Sequence, residues 1–297
     1  MPSLDHPYAG ADRSPRWLRG NLHTHTTRSD GRRAPQEVID DYVARGYDFL
    51  MFSDHDTYAG PEHFADWKTG GLSMIPGNEI TRDGPHMLHV GATRKIEPSE
   101  DRQAVIDDIA RTGGFAVVNH PNWFEDFNHC PHETMKEWTN FTGIEIYNHV
   151  IGELPGSSYA TDHWDRLLAR GRRVWGFAND DSHQAKHVGF AWNSVLSEDR
   201  SPAAIVAAMA KGRFYASTGV AIGSIAVEGM TITITSPDAE RIVAIADHGA
   251  RIEVADGREM TLTVPDGKTT YVRFECCGRG ERVAWTQPFF VDRAGAA

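Results

Sequence analysis

Short apolar runs alternate with helical stretches along the first two hundred residues, and most runs end in a histidine, aspartate or glutamate. This alternation constrains the fold more than any other feature, because strands joined through helices pair in parallel. Phe49-Leu50-Met51-Phe52 reads as a buried strand. The helix before it carries Val38, Ile39, Tyr42 and Val43 on one face, with Pro35 in its first turn and Gly46 closing it. The unit recurs. A helix over 99–112 stops at Gly113-Gly114 before a strand from Phe115 to Val118, and one over 159–170 stops at Gly171 before a strand from Val174 to Ala178. A further strand is expected from Ile144 to Tyr147. A helix over 203–211 opens at Ser201-Pro202 and closes at Gly212. Repeated around a circle, such units form a barrel with its site at the C-terminal strand ends. Beyond residue 220 the pattern shortens to strands near 222–227, 231–235, 242–246, 260–264 and 271–275. Gly229, Pro237-Asp238, Asp256-Gly257 and Asp266-Gly267 punctuate them. The expected organisation is a metal-binding α/β barrel domain over 1–219 and a small antiparallel β domain over 220–297, which would cover the cleft or mediate dimerisation.

Composition excludes several classes. The net charge of -11 argues against sequence-blind binding of a nucleic-acid duplex. No run of about 18 apolar residues marks a membrane span, and the polar first twenty residues lack a secretion signal. Cys130, Cys276 and Cys277 form no disulfide framework, since sequence neighbours rarely bridge. A reducing, cytoplasmic setting is expected.

Histidine is the outlier: of 15, 12 fall between His23 and His183. In Asn21-Leu22-His23-Thr24-His25 the two histidines point the same way from an extended chain and can grip one ion. Asp30, in the following Ser29-Asp30-Gly31 loop, can return to the same cluster. Ser53-Asp54-His55-Asp56 ends the next strand, with His55 the expected ligand. Glu79, after a Pro-Gly turn, is a candidate bridge between two ions. His86 and His89, three apart on a short strand, face opposite sides; one is expected to be a ligand, and His86 is favoured. His120 sits at a strand exit closed by Pro121. Either His149 or Asn148 is expected to contact metal or substrate. Asp181 and His183 share the i, i+2 spacing, which turns Asp180 away as an outer partner. His129 and His132 read as surface residues.

Nitrogen and carboxylate ligands without thiolate suit manganese, zinc or iron. The candidates exceed the three or four that one catalytic ion needs, so two or three divalent ions are expected. Such ions lower the pKa of a bound water to roughly 7, giving hydroxide near neutral pH. Their charge suits the anionic oxygens of a phosphoester above other substrates. Asp30, His183 and Arg28, the last as a phosphate clamp, are the expected catalytic residues. No G-x-S-x-G nucleophile elbow is present. The leading expectation is a small-molecule phosphomonoesterase or phosphodiesterase. The alternative is a carboxylic or carbamate ester hydrolase, with Trp123, Phe124, Phe127 and Tyr147 lining an aryl pocket. A non-catalytic metal- or nucleotide-binding module would have lost ligands, and none is missing.

Taken together, His23-x-His25 with Ser29-Asp30-Gly31, Ser53-Asp54-His55-Asp56, Gly77-Asn78-Glu79, Asn119-His120-Pro121 and Asp181-x-His183 resemble the PHP (polymerase and histidinol phosphatase) family. Phe214-Tyr215-Ala216-Ser217-Thr218-Gly219 and the β tail look like its carbaryl-hydrolase branch. The resemblance covers residues 18 to 219. It implies a distorted (β/α)7 barrel, two or three metal ions, phosphoesterase activity and a ligand at His86. His149 after Asn148 departs from the usual pattern, which puts the third metal position in doubt.

Overall fold

The computed structural model describes residues 2–12, 16–265, 267 and 269–292; Asp266, expected in a turn, lies outside them. The chain is a mixed α/β fold with many strands and few helices. Strand Trp17–Asn21 pairs in parallel with Phe49–Met51, and that with Ser73–Ile75. A second sheet orders Gly77–Ile80, Met87–Val90, Phe115–Val118, Gly143–Asn148 and Trp175–Asn179.

The expected closed, parallel barrel is not formed by these ladders, for reasons that can be traced to residues. Met87–Val90 runs antiparallel to both neighbours, because the link from Ile80 to Met87 is a short connection rather than a helical crossover. Pro76, which has no N–H, separates strand Ser73–Ile75 from Gly77–Ile80, and its carbonyl instead accepts from Gly91 and Ala92 N–H. At the other opening, between Trp175–Asn179 and Trp17–Asn21, buried asparagines replace ladder bonds. Leu22 N–H donates to Asn179 Oδ1 (3.2 Å), Asn193 Nδ2 to Ala178 O (3.0 Å) and Asn21 Nδ2 to Ala191 O (2.9 Å). Trp192–Leu196 and Phe214–Ser217, additional to the expected strands, pair antiparallel beside Trp17–Asn21.

Strand alternation divides the core. On Phe115–Val118, Phe115 and Val117 join Leu18, Phe49, Leu88 and Phe177 in one cluster, while Ala116 and Val118 join Ile144, Ile146 and Trp164 in another. Gly20 is required at this point: a Cβ there would lie 2.3 Å from the Phe49 ring. The helices start where local chemistry allows. Pro35 opens Pro35–Ala44, with Glu37 accepting from Ala34 N–H (2.8 Å). Asp101 caps Arg102–Thr112, and Ser201 caps Pro202–Ala210.

In the tail, Ser224–Glu228, Thr231–Thr235 and Glu259–Thr263 make a small sheet. Arg241–Ala246 and Tyr271–Cys277 instead continue the large sheet, which reaches Phe214–Ser217 through Val283–Thr286. Ala250–Asp256 is an added strand, hidden in the sequence by its largely exposed pattern. No helix among the described residues is long and apolar enough to cross a membrane.

Candidate metal centre

The strand ends converge. His25 N–H donates to Ser182 O (2.8 Å), which sets the His23-to-His25 segment beside Asp181 and His183. A parallel bridge places His55 against Glu79. Five overlapping groups of possible ligand atoms result, drawn from His23, His25, Asp30, His55, Glu79, His86, His120, Asp181, His183 and His129.

Glu79 is fully buried at the centre. Its Oε1 faces His23 Nε2 (3.3 Å), His86 Nδ1 (3.2 Å) and His120 Nε2 (3.4 Å). Its Oε2 faces His55 Nδ1 (2.9 Å) and His25 Nε2 (3.5 Å). Asp181 Oδ1 lies 3.1 Å from both His23 Nε2 and His25 Nε2. Asp30, on the open side, is 3.3 Å from His183 Nε2 and 3.5 Å from His55 Nε2.

Many of these atoms are buried without a hydrogen-bond partner: His23 Nε2, both ring nitrogens of His25, His55 Nδ1, His86 Nδ1, Glu79 Oε2 and Asp181 Oδ1. Such a concentration of orphaned lone pairs is costly unless a cation is shared among them. Burial opposes charge on Glu79, yet the surrounding histidines, His23 foremost, hold it well below the usual carboxylate range. Burial likewise opposes protonation of His23, but Asp181, Glu145 and Glu79 override it and raise its pKa. The donor set therefore fits divalent cations. Backbone strain accompanies it: His120 and Asp181 adopt φ of 25° and 54°.

An outer layer orients the inner one. Glu145 is the hub, accepting from His23 Nδ1 (2.7 Å), Asn179 Nδ2 (2.8 Å), His120 N–H (3.0 Å) and Asn148 Nδ2 (2.9 Å). With Nδ1 committed there, Nε2 is the His23 nitrogen turned to Glu79 and Asp181, the one that would face an ion. Asn119 Nδ2 donates to Glu79 Oε1 (2.7 Å). Asp54 accepts from Thr26 N–H and Ser29 Oγ (2.8 Å each), fixing the loop that carries Asp30. Asp180 turns away and accepts from Gly189, Phe190 and Ala191 N–H; burial pushes its pKa up to about 6 against those bonds. Sequence reading missed Glu145, although a lone carboxylate inside the apolar strand Gly143–Asn148 was a usable signal.

Four expectations need correction. His149 does not join the cluster: a register shift between Glu145 and Tyr147 leaves Asn148 inward, and His149 stacks on Phe190 with ring centroids 3.9 Å apart. Asn148 reaches Asp181 Oδ2 (3.2 Å) as a hydrogen-bond donor through Nδ2. Arg28 donates to Tyr58 O (2.8 Å) and is not among the residues lining the cleft, so it does not stand as a phosphate clamp. His129 is no plain surface residue: its Nε2 accepts from His86 N–H (3.0 Å), and its ring meets His86 edge-on at 4.5 Å. His132 is buried, beside Arg170, rather than on the surface. His86 and His89 divide as expected, with His89 Nε2 at Gly113 O (3.0 Å) on the far face. No local pattern marked His129; only the loop's fold brings it in.

The cleft over the cluster holds about 190 Å³ and is walled by Trp123, Val150, Ile151 and Leu154. A larger groove of about 690 Å³ lies at the opposite strand ends, where Pro76, Gly91 and Gly114 line it. It shares no residue with the cluster. Of the aromatic residues expected in a pocket, Trp123 lines the cleft, while Tyr147 packs on Tyr159 and Trp285 instead.

No protein-family model matches the chain. The fold is shared with a two-domain protein from Bacteroides vulgatus that contains a predicted PHP-like metal-dependent phosphoesterase. The TM-score is 0.56 at 17% identity, covering 96% of this chain and 98% of that one. The chain thus takes a PHP-like fold, as its motifs implied. A segment of 62 residues is also 40% identical to a 5'-3' exoribonuclease of Haemophilus influenzae, covering 20% of this chain. That match spans 23% of the exoribonuclease. Neither likeness singles out the carbaryl-hydrolase branch.

Proposed function

We propose that this chain is a multinuclear metal-dependent phosphoesterase acting on small phosphomonoesters or diesters. The observation that carries the reading is Glu79, whose two oxygens face separate histidine sets amid orphaned buried nitrogens. A carboxylate so placed suits a bridge between two cations. The proposed holders of two or three divalent ions (manganese, zinc or iron) are His23, His25, Asp30, His55, Glu79, His86, His120, Asp181 and His183. When bound, such ions polarise an ester oxygen and acidify a water. Ions held there would place positive charge at the open side of the cluster, where phosphoryl oxygens could meet it.

The chain's own residues then supply position. Asp30, 55% exposed at the mouth, is kept ionised by His183 and His55 against the effect of partial burial. Its place at the mouth would orient the attacking nucleophile. His183, whose Nδ1 is tied to Asp181 O (2.8 Å), is left with Nε2 facing Asp30 at 3.3 Å, so the two would hold the same ion.

We read the two strand arcs as an opened (β/α)7 barrel over residues 1–219, with 220–297 as a second, β-rich unit bracing it through the shared sheet. Three free cysteines suit a reducing cytoplasmic compartment.

Elemental analysis of the purified protein, followed by assay of an aryl phosphate monoester, a diester and an aryl carbamate, tests the function. Two or more metal equivalents with preferential phosphate hydrolysis support it; carbamate turnover alone would replace it. His25→Ala and Asp181→Ala are expected to abolish turnover with an unchanged circular dichroism spectrum, and near-normal activity in either would remove that residue from the set.

A further inference from the structure

The cleft has a polar floor and an apolar mouth. Above the histidines its walls are Trp123, Val150, Ile151 and Leu154, and among the described residues lining it there is no lysine or arginine. Two segments build those walls and are tied together: Phe124 N–H donates to Pro155 O (3.0 Å), and Ser157 N–H to Asn122 O (2.9 Å). Their rim is apolar too. Phe124 stacks on Trp123 with centroids 4.3 Å apart, and Phe190 stacks on His149 just before Val150. Six large hydrophobic side chains are markedly exposed among the described residues. One of them, Leu154, lines the cleft, and Phe124, Phe127 and Phe190 lie outside its lining, on segments bonded or stacked to it. Apolar cleft walls flanked by exposed apolar side chains mark a recognition surface.

Resting on the hydrolytic reading above, we infer that this site selects esters whose organic group is uncharged, apolar and about the size of one six-membered ring, with Ile151 and Leu154 as specificity-determining residues. The walls exclude the other common organic groups of phosphoesters. A sugar would bury hydroxyls against Val150, Ile151 and Leu154 without partners. A nucleotide carrying a second phosphate would find no basic side chain on the walls to pair it. The size of the cleft suits a small group: a cavity of about 150 Å³ holds benzene, and the cleft, open at its mouth, offers about 190 Å³ over the cluster. Trp123 lines the cleft with its ring centroid 5.2 Å from that of His120 and 5.7 Å from that of His86, so an apolar group held against it lies beside the reacting ester.

The experiment compares benzyl phosphate with ribose 5-phosphate on the metal-loaded protein. Both are primary alkyl monoesters, so leaving-group ability is closely matched. Benzyl phosphate is expected to have a kcat/KM at least about tenfold higher, and Leu154→Gln, at a side chain 44% exposed that tolerates replacement, is expected to narrow that ratio. Equal or better turnover of ribose 5-phosphate would overturn the inference. Binding of benzylphosphonate and methylphosphonate by calorimetry separates this failure from failure of the phosphoesterase reading. Selective binding of the benzyl compound without turnover of either ester would refute the reaction and support the apolar selectivity. Equal binding of the two phosphonates, or binding of neither, would refute the selectivity.

Discussion

Replacing Asp165 with alanine is expected to remove about 3 kcal/mol of folding stability, at the lower end of the range for breaking a buried ion pair. Arg273, on tail strand Tyr271–Cys277, and Asp165, on helix Thr161–Leu168, bond twice: Nε to Oδ1 and Nη2 to Oδ2, each 2.7 Å. Their side chains are 2% and 7% exposed. Burial alone would lower the Arg273 pKa, yet Asp165 and Glu275 hold it above its ordinary value. The lower end applies because two partners survive the substitution. Arg273 Nη1 keeps Glu275 Oε1 (2.8 Å), and the Tyr271 hydroxyl keeps Ala246 O (3.2 Å). At about 2 °C per kcal/mol for a chain of this size, Tm should fall by about 6 °C. Urea unfolding measures the loss directly. The double variant Asp165→Leu with Arg273→Met should recover most of it, since the cost lies in an uncompensated buried charge beside Trp164 rather than in a missing attraction. A single variant within about 1 kcal/mol of the parent, or a double variant no better than the single, would refute this reasoning.

Glu145→Gln should weaken metal binding or activity about 10–100-fold while preserving the fold, because it removes the charge that holds His23 Nδ1–H and turns a donor toward His120 N–H or Asn148; a metal titration with unchanged affinity would count against the hub role. Chelation should lower Tm, since ions at a thousandfold over Kd stabilise by about 4 kcal/mol; a Tm indifferent to chelator would mean that the cluster holds no ion. Burial, then the cations of Arg166 and Arg170 and neighbouring His163, lower the His132 pKa to about 4 from an ordinary 6.5. The folded state therefore favours neutral His132, and its stability, complete above pH 6.5, should be lost progressively as pH falls toward 4. His132→Gln should flatten that part of the pH–stability curve, and an unchanged slope would refute the assignment.

Local periodicity made much of this protein legible before any coordinates. A buried strand followed by a glycine-capped helix is a short-range pattern, so Phe115–Val118 and Thr231–Thr235 fall where expected and Pro35 opens its helix. The i, i+2 geometry of an extended chain likewise turns His23 and His25 toward one place, whereas Asp181 reaches the cluster through a left-handed backbone (φ 54°) that spacing alone does not foretell. What lies between segments was not legible. A short connection reversed Met87–Val90, Pro76 interrupted the sheet, and three asparagines filled the opening opposite. A register shift beside Ile146 sent His149 to Phe190. Loop packing brought His129 under His86 and set Ile151 and Leu154 over the cluster. Each of these depends on contacts distant in the chain, which hydrophobic patterning does not encode. The sequence by itself thus determined where strands and helices fall and which residue types end them, while the tertiary structure decided which of those side chains meet and what walls surround them.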